Sequence, residues 1–472
     1  MVKSFNTNFK KQRILVMGLG LNGGAFQVVK WLLAKGAILT VTDIKDAKVL
    51  KPTLDQLKKL SGAKNIKFVL GEHRAEDFKD QDLLIQNPGV PANSVYLQIA
   101  KKNKIPIVNE AVMFFALYPY SKIGVTGTRG KSTTSSIIHH ILKQKIKSNV
   151  IAGNIATTPM FAVLDKLKKD SLPVLELSSW HLENLGDYQM SPQISVITNV
   201  LIDHLNRYKN FNAYKQAKIN IIKYQTKNDL AILNLDNIHT KTAAKYTKAK
   251  VYYFSLKNKV NRGVYLKNNA FYFVDNNKET LVMTTSNIKL LGQHNLSNIA
   301  ASICVAKIVG LENSLINKGV NSFKGVAYRL QLIKKTRNLQ VFNDATSTTP
   351  DAAQAAILAM QDKKIVLLAG GQDKNLDYKD LAKTIKNKVA KTVLLAGTGS
   401  AKLIAELKKI KYPSANLFTD FDDLEKALLE AQKQSANQEV ILFSPAAASF
   451  NMFTNEFQRA KMFDQLVKKH VK

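Results

Sequence analysis

The most specific chemistry in the chain surrounds Lys131. The stretch Ile123-Gly124-Val125-Thr126-Gly127-Thr128-Arg129-Gly130-Lys131-Ser132-Thr133-Thr134 spaces Gly127, Gly130, a lysine and several hydroxyls as a polyphosphate-wrapping loop does. Gly127 and Gly130 permit the backbone conformations such a loop needs. Lys131 can reach the outer phosphates, and the hydroxyl of Ser132 or Thr133 can ligate Mg²⁺. Successive N–H groups and the positive end of a following helix add to the attraction. The ligand this predicts is a nucleoside triphosphate. The common spacing G-x-x-x-x-G-K-[ST] would put its first glycine where Val125 stands, so the loop is the shorter G-T-x-G-K-[ST]-T variant.

Three other places carry chemistry-bearing types. Gly18-Leu19-Gly20-Leu21-Asn22-Gly23-Gly24 follows an apolar run and precedes a helical one, Ala25 to Lys35; a second strand, Ile38 to Thr42, ends on Asp43. A glycine-rich turn with an acidic residue closing the second strand is the arrangement of a nucleotide-binding βαβ unit. Glu176 sits inside the apolar run Pro173 to Leu177, where an unpaired carboxylate is costly, so it should meet a cation or a hydrogen-bond donor. Asp203-His204 follows the apolar strand Ile194 to Val200, and an acid or histidine just beyond a strand next to the phosphate loop is well placed for Mg²⁺.

The elements around these residues keep one rhythm. Ile123 and Val125 read as a buried strand, and Ile137, Ile138, Ile141 and Leu142 fall at helical spacing, so the loop joins strand to helix. Asp82 to Gln86 is a strand running into the turn Asn87-Pro88-Gly89, and ligands gather at such strand ends. Short strand-like pieces with Asn turns fill 228 to 290, and Leu291-Gly292-Gln293-His294-Asn295 enters a helix, Ser297 to Val309. Strands at Leu339 to Asn343, Ile365 to Gly371, Thr392 to Gly397 and Glu439 to Ser444 each end on a polar or glycine-rich turn. The pattern predicts an α/β protein of three domains: a Rossmann-like N-terminal domain over 1–110, a central P-loop ATPase-type domain over 111–325, and a C-terminal Rossmann-like domain over 326–472.

A length of 472 residues with 45% hydrophobic content supports several cores. The single cysteine, Cys304, excludes an intrachain disulfide and fits a reducing compartment. The N-terminus has no apolar leader-like run, and no stretch reaches the ~18 apolar residues of a spanning helix. The expectation is a cytoplasmic protein with no membrane partner. The formal charge of +34 invites a nucleic-acid reading, yet only eight of the 69 basic residues are arginine and the lysines are spread along the chain. That distribution fits a solvated surface rather than a nucleic-acid site, although its field still draws anionic substrates.

Taken in order, these motifs resemble the Mur ligases, the ATP-dependent amide-forming enzymes of peptidoglycan synthesis. The resemblance runs through Gly127 to Thr133, Leu175-Glu176-Leu177-Ser178-Ser179, Asp203-His204-Leu205-Asn206-Arg207-Tyr208, Ala213 to Lys218, Gly292 to Asn295, and Ser444-Pro445-Ala446-Ala447-Ala448-Ser449-Phe450. The last stretch favours the branch that adds D-glutamate. The resemblance implies that Gly127, Thr128, Arg129, Gly130, Lys131, Ser132 and Thr133 hold ATP, with Asn295 and Asn298 near adenine and Arg329 and Asp344 also near ATP. Ser132, Glu176 and His204 would serve two Mg²⁺ sites. Lys218 stands where the family carries a lysine carbamylated by CO₂. A bare lysine beside two magnesium ions would be repulsive; a carbamate is attractive. Lys131, Glu176, His204 and Lys218 are therefore the implied catalytic set.

Gly18, Leu19, Asn22, Asp43, Asn87, Pro88, Gly89 and Asn154 would line the site for UDP-N-acetylmuramoyl-L-alanine, and Thr348, Lys374, Ser449 and Phe450 the site for D-glutamate. The implied protein is a monomer acting on small molecules through an acyl phosphate. Three departures stand out. Asn343-Asp344-Ala345-Thr346-Ser347-Thr348-Thr349 lacks the lysine many members carry near Thr346. Asn455-Glu456-Phe457 inverts the Phe-Glu order of some relatives. Arg129 replaces the commoner Asn or Ser of the loop.

Overall fold

The computed structural model describes every residue except 1–3, 22, 92, 156–157, 205–206, 361–362, 436–439, 450–451 and 472. Among the described residues the strands form three sheets. The first contains β1 (Arg13–Met17), β2 (Ile38–Asp43), β3 (Lys67–Leu70), β4 (Leu83–Gln86) and β5 (Ile107–Val108), all parallel, in the order β3-β2-β1-β4-β5. Ile14, Leu15, Val16 and Met17 are all buried, the unbroken apolar reading of a parallel strand covered on both faces. The strand order reverses between β1 and β4, so the crevice at their carboxyl ends falls between the turn after β1 and Asn87-Pro88-Gly89.

The second sheet contains β6 (Ile123–Thr126), β7 (Ile151–Gly153), β8 (Val174–Glu176), β9 (Ile194–Ile197), β10 (Leu230–Asn234) and β11 (Lys250–Ser255), followed by β12 (Gly263–Lys267), β13 (Ala270–Asp275) and β14 (Lys278–Thr284). Its order is β14-β13-β12-β11-β10-β9-β6-β8-β7, with the β12 to β14 end antiparallel. Asn268-Asn269 and Asn276-Asn277 turn these hairpins with φ of 50, 56, 49 and 60°, the paired left-handed residues that a two-residue hairpin needs. Trp31 packs edge-on against Phe9 and Phe161, with centroids 5.4 and 5.3 Å away, so the first two sheets share a core.

The third sheet contains β15 (Gln331–Lys335), β16 (Gln340–Asn343), β17 (Ile365–Gly370), β18 (Lys391–Leu395), β19 (Leu417–Phe421) and β20 (Val440–Phe443), ordered β15-β16-β20-β17-β18-β19. Its side chains alternate between two layers. Val366, Leu368, Ile441 and Phe443 join Phe463 on one face, and Ile365, Leu367, Val440 and Leu442 join Ile357 and Leu381 on the other. By contacts the chain divides into two compact units, Met1–Asn287 with Ser297–Asn321, and Ile288–Leu296 with Ser322–Lys472. The helix expected from Ser297 begins earlier, at Gln293–Ile308. Among the described residues no helix is long and apolar enough to cross a membrane.

Candidate active site

The phosphate loop leaves β6 between its two sheet neighbours, β8 and β9, with Val125 opposite Glu176 on one side and Val196 on the other. Its shape depends on its glycines. Gly127 has φ 152°, and a Cβ there would lie 1.9 Å from Thr198 Oγ1; Gly130 has φ 81°, and a Cβ would lie 2.4 Å from Asn298 Oδ1. The backbone is fixed from the β9 side: Thr128 N–H donates to Asn199 O at 2.9 Å, Arg129 N–H to Asn199 Oδ1 at 2.9 Å, and Thr198 Oγ1–H to Arg129 O at 2.6 Å. Helix Lys131–Leu142 then begins, and Lys131 Nζ folds back to donate to Gly127 O at 3.0 Å and Thr128 O at 3.1 Å.

Two groups beside the loop are in expensive places. Lys218, on helix Phe211–Lys223, is only 2% exposed and donates to Gly127 O at 2.8 Å, with its Nζ 4.7 Å from the Tyr214 ring centre. Burial, and next the charge of Lys131, hold its pKa well below the usual lysine range. Glu176 is 1% exposed; Oε1 accepts from Asn154 Nδ2 at 3.1 Å, whereas the buried Oε2 has no hydrogen-bond partner. An orphan carboxylate oxygen of this kind fits a cation. Among the described residues no three His, Cys, Asp or Glu side chains cluster as a metal cage. Mg²⁺ commonly takes one or two carboxylates, substrate phosphates and water, and the Glu176 Oε2 is one such carboxylate oxygen.

Asp203 and His204 lie beyond β9. Asp203 Oδ2 is 2.7 Å from Arg129 Nη1. Burial alone would raise the Asp203 pKa, but the charges of Arg129 and His204 outweigh it and the net shift is downward. His204 has φ 53°, its ring 5.8 Å from Trp180 and 5.7 Å from Tyr214. Burial lowers its pKa, Asp203 opposes, and Lys218, Lys131 and Arg129 add to the lowering, which favours the neutral ring able to ligate a metal. Asn298 Oδ1 accepts from Thr134 Oγ1 at 3.2 Å, and Asn295 Nδ2 donates to Leu291 O at 2.7 Å.

The first sheet's glycine turn has a different lining. Asp43 is buried, and its Oδ2 accepts from Leu19 N–H at 2.8 Å and Gly20 N–H at 3.0 Å, its Oδ1 from Lys45 N–H at 2.9 Å. The carboxylate is thus turned into the loop. A side chain on Gly24 would meet Glu110 Oε2 at 3.7 Å, and Glu110 Oε1 lies 3.2 Å from His181 Nε2. Gly18, at φ 88°, passes so close to Asn87 that a Cβ would lie 3.0 Å from it. Gly89 N–H donates to Asn87 Oδ1 at 3.2 Å, and Arg207 Nη1 donates to Pro88 O at 3.2 Å. Arg207 also stacks on Trp180 at 4.8 Å and approaches Glu183 at 3.3 Å, beside a cavity of about 500 Å³ that Asn87 and Pro88 help to line. Of the residues expected here, Asn22 lies outside the described residues, as does Phe450 of the D-glutamate set. Glu110, His181 and Arg207 were missed by sequence reading; only the position of Arg207 three residues after His204 could have pointed to it.

In the second unit Asp344 is buried, with Oδ1 accepting from Leu330 N–H at 2.9 Å and Oδ2 from Ser444 Oγ–H at 2.7 Å, and burial raises its pKa to about 6. Arg329 stands between Tyr328 and Leu330, non-glycine residues at φ 63 and 46° whose backbone is strained. Thr346, where the lysine is lacking, donates its hydroxyl to Tyr328 O at 2.8 Å. Lys374 Nζ donates to Thr348 Oγ1 at 3.0 Å, and the buried Ser449 Oγ has no partner. Buried Arg459 ties two turns together, donating from Nη2 to Ala345 O at 2.8 Å and from Nη1 to Ala447 O at 3.2 Å. The inverted Glu456-Phe457 order follows helix logic: Asn455 caps helix Glu456–His470, the acid occupies its first turn, and Phe457 is left 44% exposed.

Family models for the "Mur ligase MurD-like, N-terminal domain", the "Mur ligase middle domain" and the "Mur ligase, glutamate ligase domain" match residues 12–109, 125–306 and 328–447. The UDP-N-acetylmuramoylalanine--D-glutamate ligase of Roseiflexus sp. (strain RS-1) is 37% identical over 464 residues, covering 97% of this chain and 98% of the relative. The ligase of the same name from Borreliella afzelii (strain PKo) is 36% identical over 467 residues, with 97% and 98% covered. In fold, the chain is similar to UDP-N-acetylmuramate-alanine ligase of Thermotoga maritima, with a TM-score of 0.62, 21% identity, and 97% of this chain and 99% of that one covered.

Proposed function

We propose that this chain, which belongs to the Mur ligase family, is an ATP-dependent ligase that joins D-glutamate to UDP-N-acetylmuramoyl-L-alanine, releasing ADP and phosphate. One observation carries the reading: a buried carboxylate with an orphan oxygen stands on the strand beside the phosphate loop, and a buried lysine from helix Phe211–Lys223 donates to the loop carbonyl of Gly127. A polyphosphate site alone needs neither the carboxylate nor the lysine.

A carboxylate oxygen of the nucleotide sugar attacks the γ-phosphorus, the bond to ADP breaks, and an acyl phosphate forms. The amine nitrogen of D-glutamate then attacks the acyl carbon, the carbon–oxygen bond breaks, and phosphate leaves as the amine gives up a proton. The loop N–H groups and Lys131 take up the charge on the polyphosphate. Lys218 acts after its neutral Nζ bonds to CO₂ and loses a proton, which turns a neutral amine beside Lys131 into an anion; burial and Lys131 both favour the neutral amine this requires. Ser132, Glu176, His204 and the Lys218 carbamate are the residues that would hold Mg²⁺. When bound, Mg²⁺ neutralises the charge developing on the transferred phosphoryl group.

Thr348, Lys374 and Ser449 orient D-glutamate, and Asn87-Pro88-Gly89, Asp43 and Asn154 the nucleotide sugar. Asn295, Asn298, Arg329 and Asp344 serve ATP. Residues 1–110, 111–325 and 326–472 accordingly serve nucleotide sugar, ATP and amino acid. The chain works as a monomer in the cytoplasm. The test is phosphate release from Mg²⁺-ATP with UDP-N-acetylmuramoyl-L-alanine, with D-glutamate present or replaced by L-glutamate, L-alanine, glycine or meso-diaminopimelate. Release that requires both the nucleotide sugar and D-glutamate supports the reading. Release with none of these acceptors would end it.

A further inference from the structure

Arg129 has a job that the general phosphate-loop pattern does not assign. Its main chain is fixed on both sides, the N–H on Asn199 Oδ1 and the C=O on Thr198 Oγ1 and Asn199 Nδ2, so any exchange of partners falls to the side chain. The guanidinium is 2.7 Å from Asp203, and the two side chains are 30% and 19% exposed. Ion pairs that reach solvent are weak enough to exchange partners. The surroundings press for exchange: Arg129 and Lys131 both act electrostatically on Lys218, all three act on His204, and Asp203 is a counter-ion that Arg129 holds. A triphosphate carries more negative charge than one carboxylate, and a planar guanidinium matches phosphate oxygens in pairs. Asp203, once released beside His204, is a hard oxygen donor of the kind a hydrated Mg²⁺ accepts.

We propose that the Arg129–Asp203 pair is an exchange latch: Arg129 moves from Asp203 onto the polyphosphate, and the freed Asp203 carboxylate becomes available to hydrated Mg²⁺. The pair thereby couples nucleotide arrival to the metal's affinity. The inference rests on the ligase reading only in that this loop takes a nucleoside triphosphate.

The test is calorimetric binding of ADP and of a non-hydrolysable ATP analogue to the full chain, each with and without Mg²⁺. Arg129→Asn is expected to weaken metal-free binding of the analogue about 10-fold, through loss of charge-assisted hydrogen bonds, and to shrink the factor by which Mg²⁺ tightens binding, because Asp203 is then free before the nucleotide arrives. Asp203→Asn should move metal-free binding the other way, strengthening it, and likewise shrink the Mg²⁺ factor. In the double variant the Arg129→Asn effect on the Mg²⁺ factor should vanish, because coupled residues are not additive. Arg129→Lys, which keeps the charge, should retain part of the metal-free affinity and guards against misfolding as the explanation. Equal weakening with and without Mg²⁺, or additive single effects, would overturn the latch and leave the ligase reading intact. If the wild-type chain bound neither nucleotide, both would fall.

Discussion

Two glycine-rich strand-to-helix turns in this chain look alike in sequence and are electrostatic opposites. At the turn after β1, the N–H groups of Leu19 and Gly20 already donate to the Asp43 carboxylate, and the Glu110 carboxylate faces Gly24. At the turn after β6, the N–H groups of Thr128 and Arg129 go to the neutral oxygens of Asn199, while Lys131 and Lys218 crowd the carbonyl of Gly127. A polyphosphate at the first turn would meet carboxylates; at the second it meets cations. Glycines therefore set where a ligand can approach, and the side chains behind them set which charge is accepted. The first turn suits an uncharged, hydrogen-bonding portion of its substrate.

The largest effect should come from the cationic turn. Lys131→Ala is expected to lower phosphate release on the order of 10³-fold, the scale of losing a positioned charge-stabilising group. The native fold should persist, because the bonds from Lys131 Nζ to the carbonyls of Gly127 and Thr128 stay within the loop itself. A loss below about 10-fold, with an unchanged melting curve, would say that the loop N–H groups suffice and would blunt the contrast.

Lys218 comes next. Lys218→Ala should cost about 100-fold in turnover and recover in part with a small added carboxylate, whereas Lys218→Arg, whose guanidinium does not take up CO₂, should show the same loss without recovery. Depleting dissolved CO₂ should slow the wild-type enzyme, and bicarbonate should restore it. The pH dependence has a definite sign. CO₂ adds to the neutral amine, and the pKa of Lys218 is lowered by burial and Lys131, so a carbamate there should persist to lower pH than on an exposed lysine and should be lost as pH falls through that depressed value. Full activity in CO₂-free buffer would remove the carbamate from the mechanism.

How much of this was legible in the sequence depends on whether the signal was local. The phosphate loop was, because Gly127, Gly130 and Lys131 form one turn whose conformation and charge reside in adjacent residues. Strand runs such as Ile14 to Met17 and the paired Asn turns were legible for the same reason. Asp43 was found as an acid ending a strand, but its inward turn was not, since that depends on N–H groups 23 and 24 residues away. The Glu110–His181 pair spans 71 residues, and the Arg129–Asp203 bridge 74, distances at which neither periodicity nor motif spacing carries information. Arg459, buried among backbone carbonyls from two turns, carries no local signal that sets it apart, since the carbonyls it serves lie 12 and 114 residues away. Local chemistry names the ligand, whereas long-range pairing tunes the site.

The smallest expected effect tests the acidic turn and could reverse the comparison outright. In Asp43→Asn the amide oxygen can take the place of Oδ2 and still accept from both Leu19 and Gly20 N–H, but its NH₂ would then face the Lys45 N–H where Oδ1 now accepts. Loss of one charge-assisted hydrogen bond predicts a rise of about 10-fold in KM for the nucleotide sugar, with turnover at saturation and the affinity for ADP nearly unchanged. Because Asp43 holds Leu19, Gly20 and Lys45 together, a modest fall in thermal stability should accompany it. A carboxylate that merely kept anions out would give the opposite sign. Its removal would tighten nucleotide-sugar binding by admitting the diphosphate to freed N–H groups, and the two turns would then differ only in which one Asp43 happens to block.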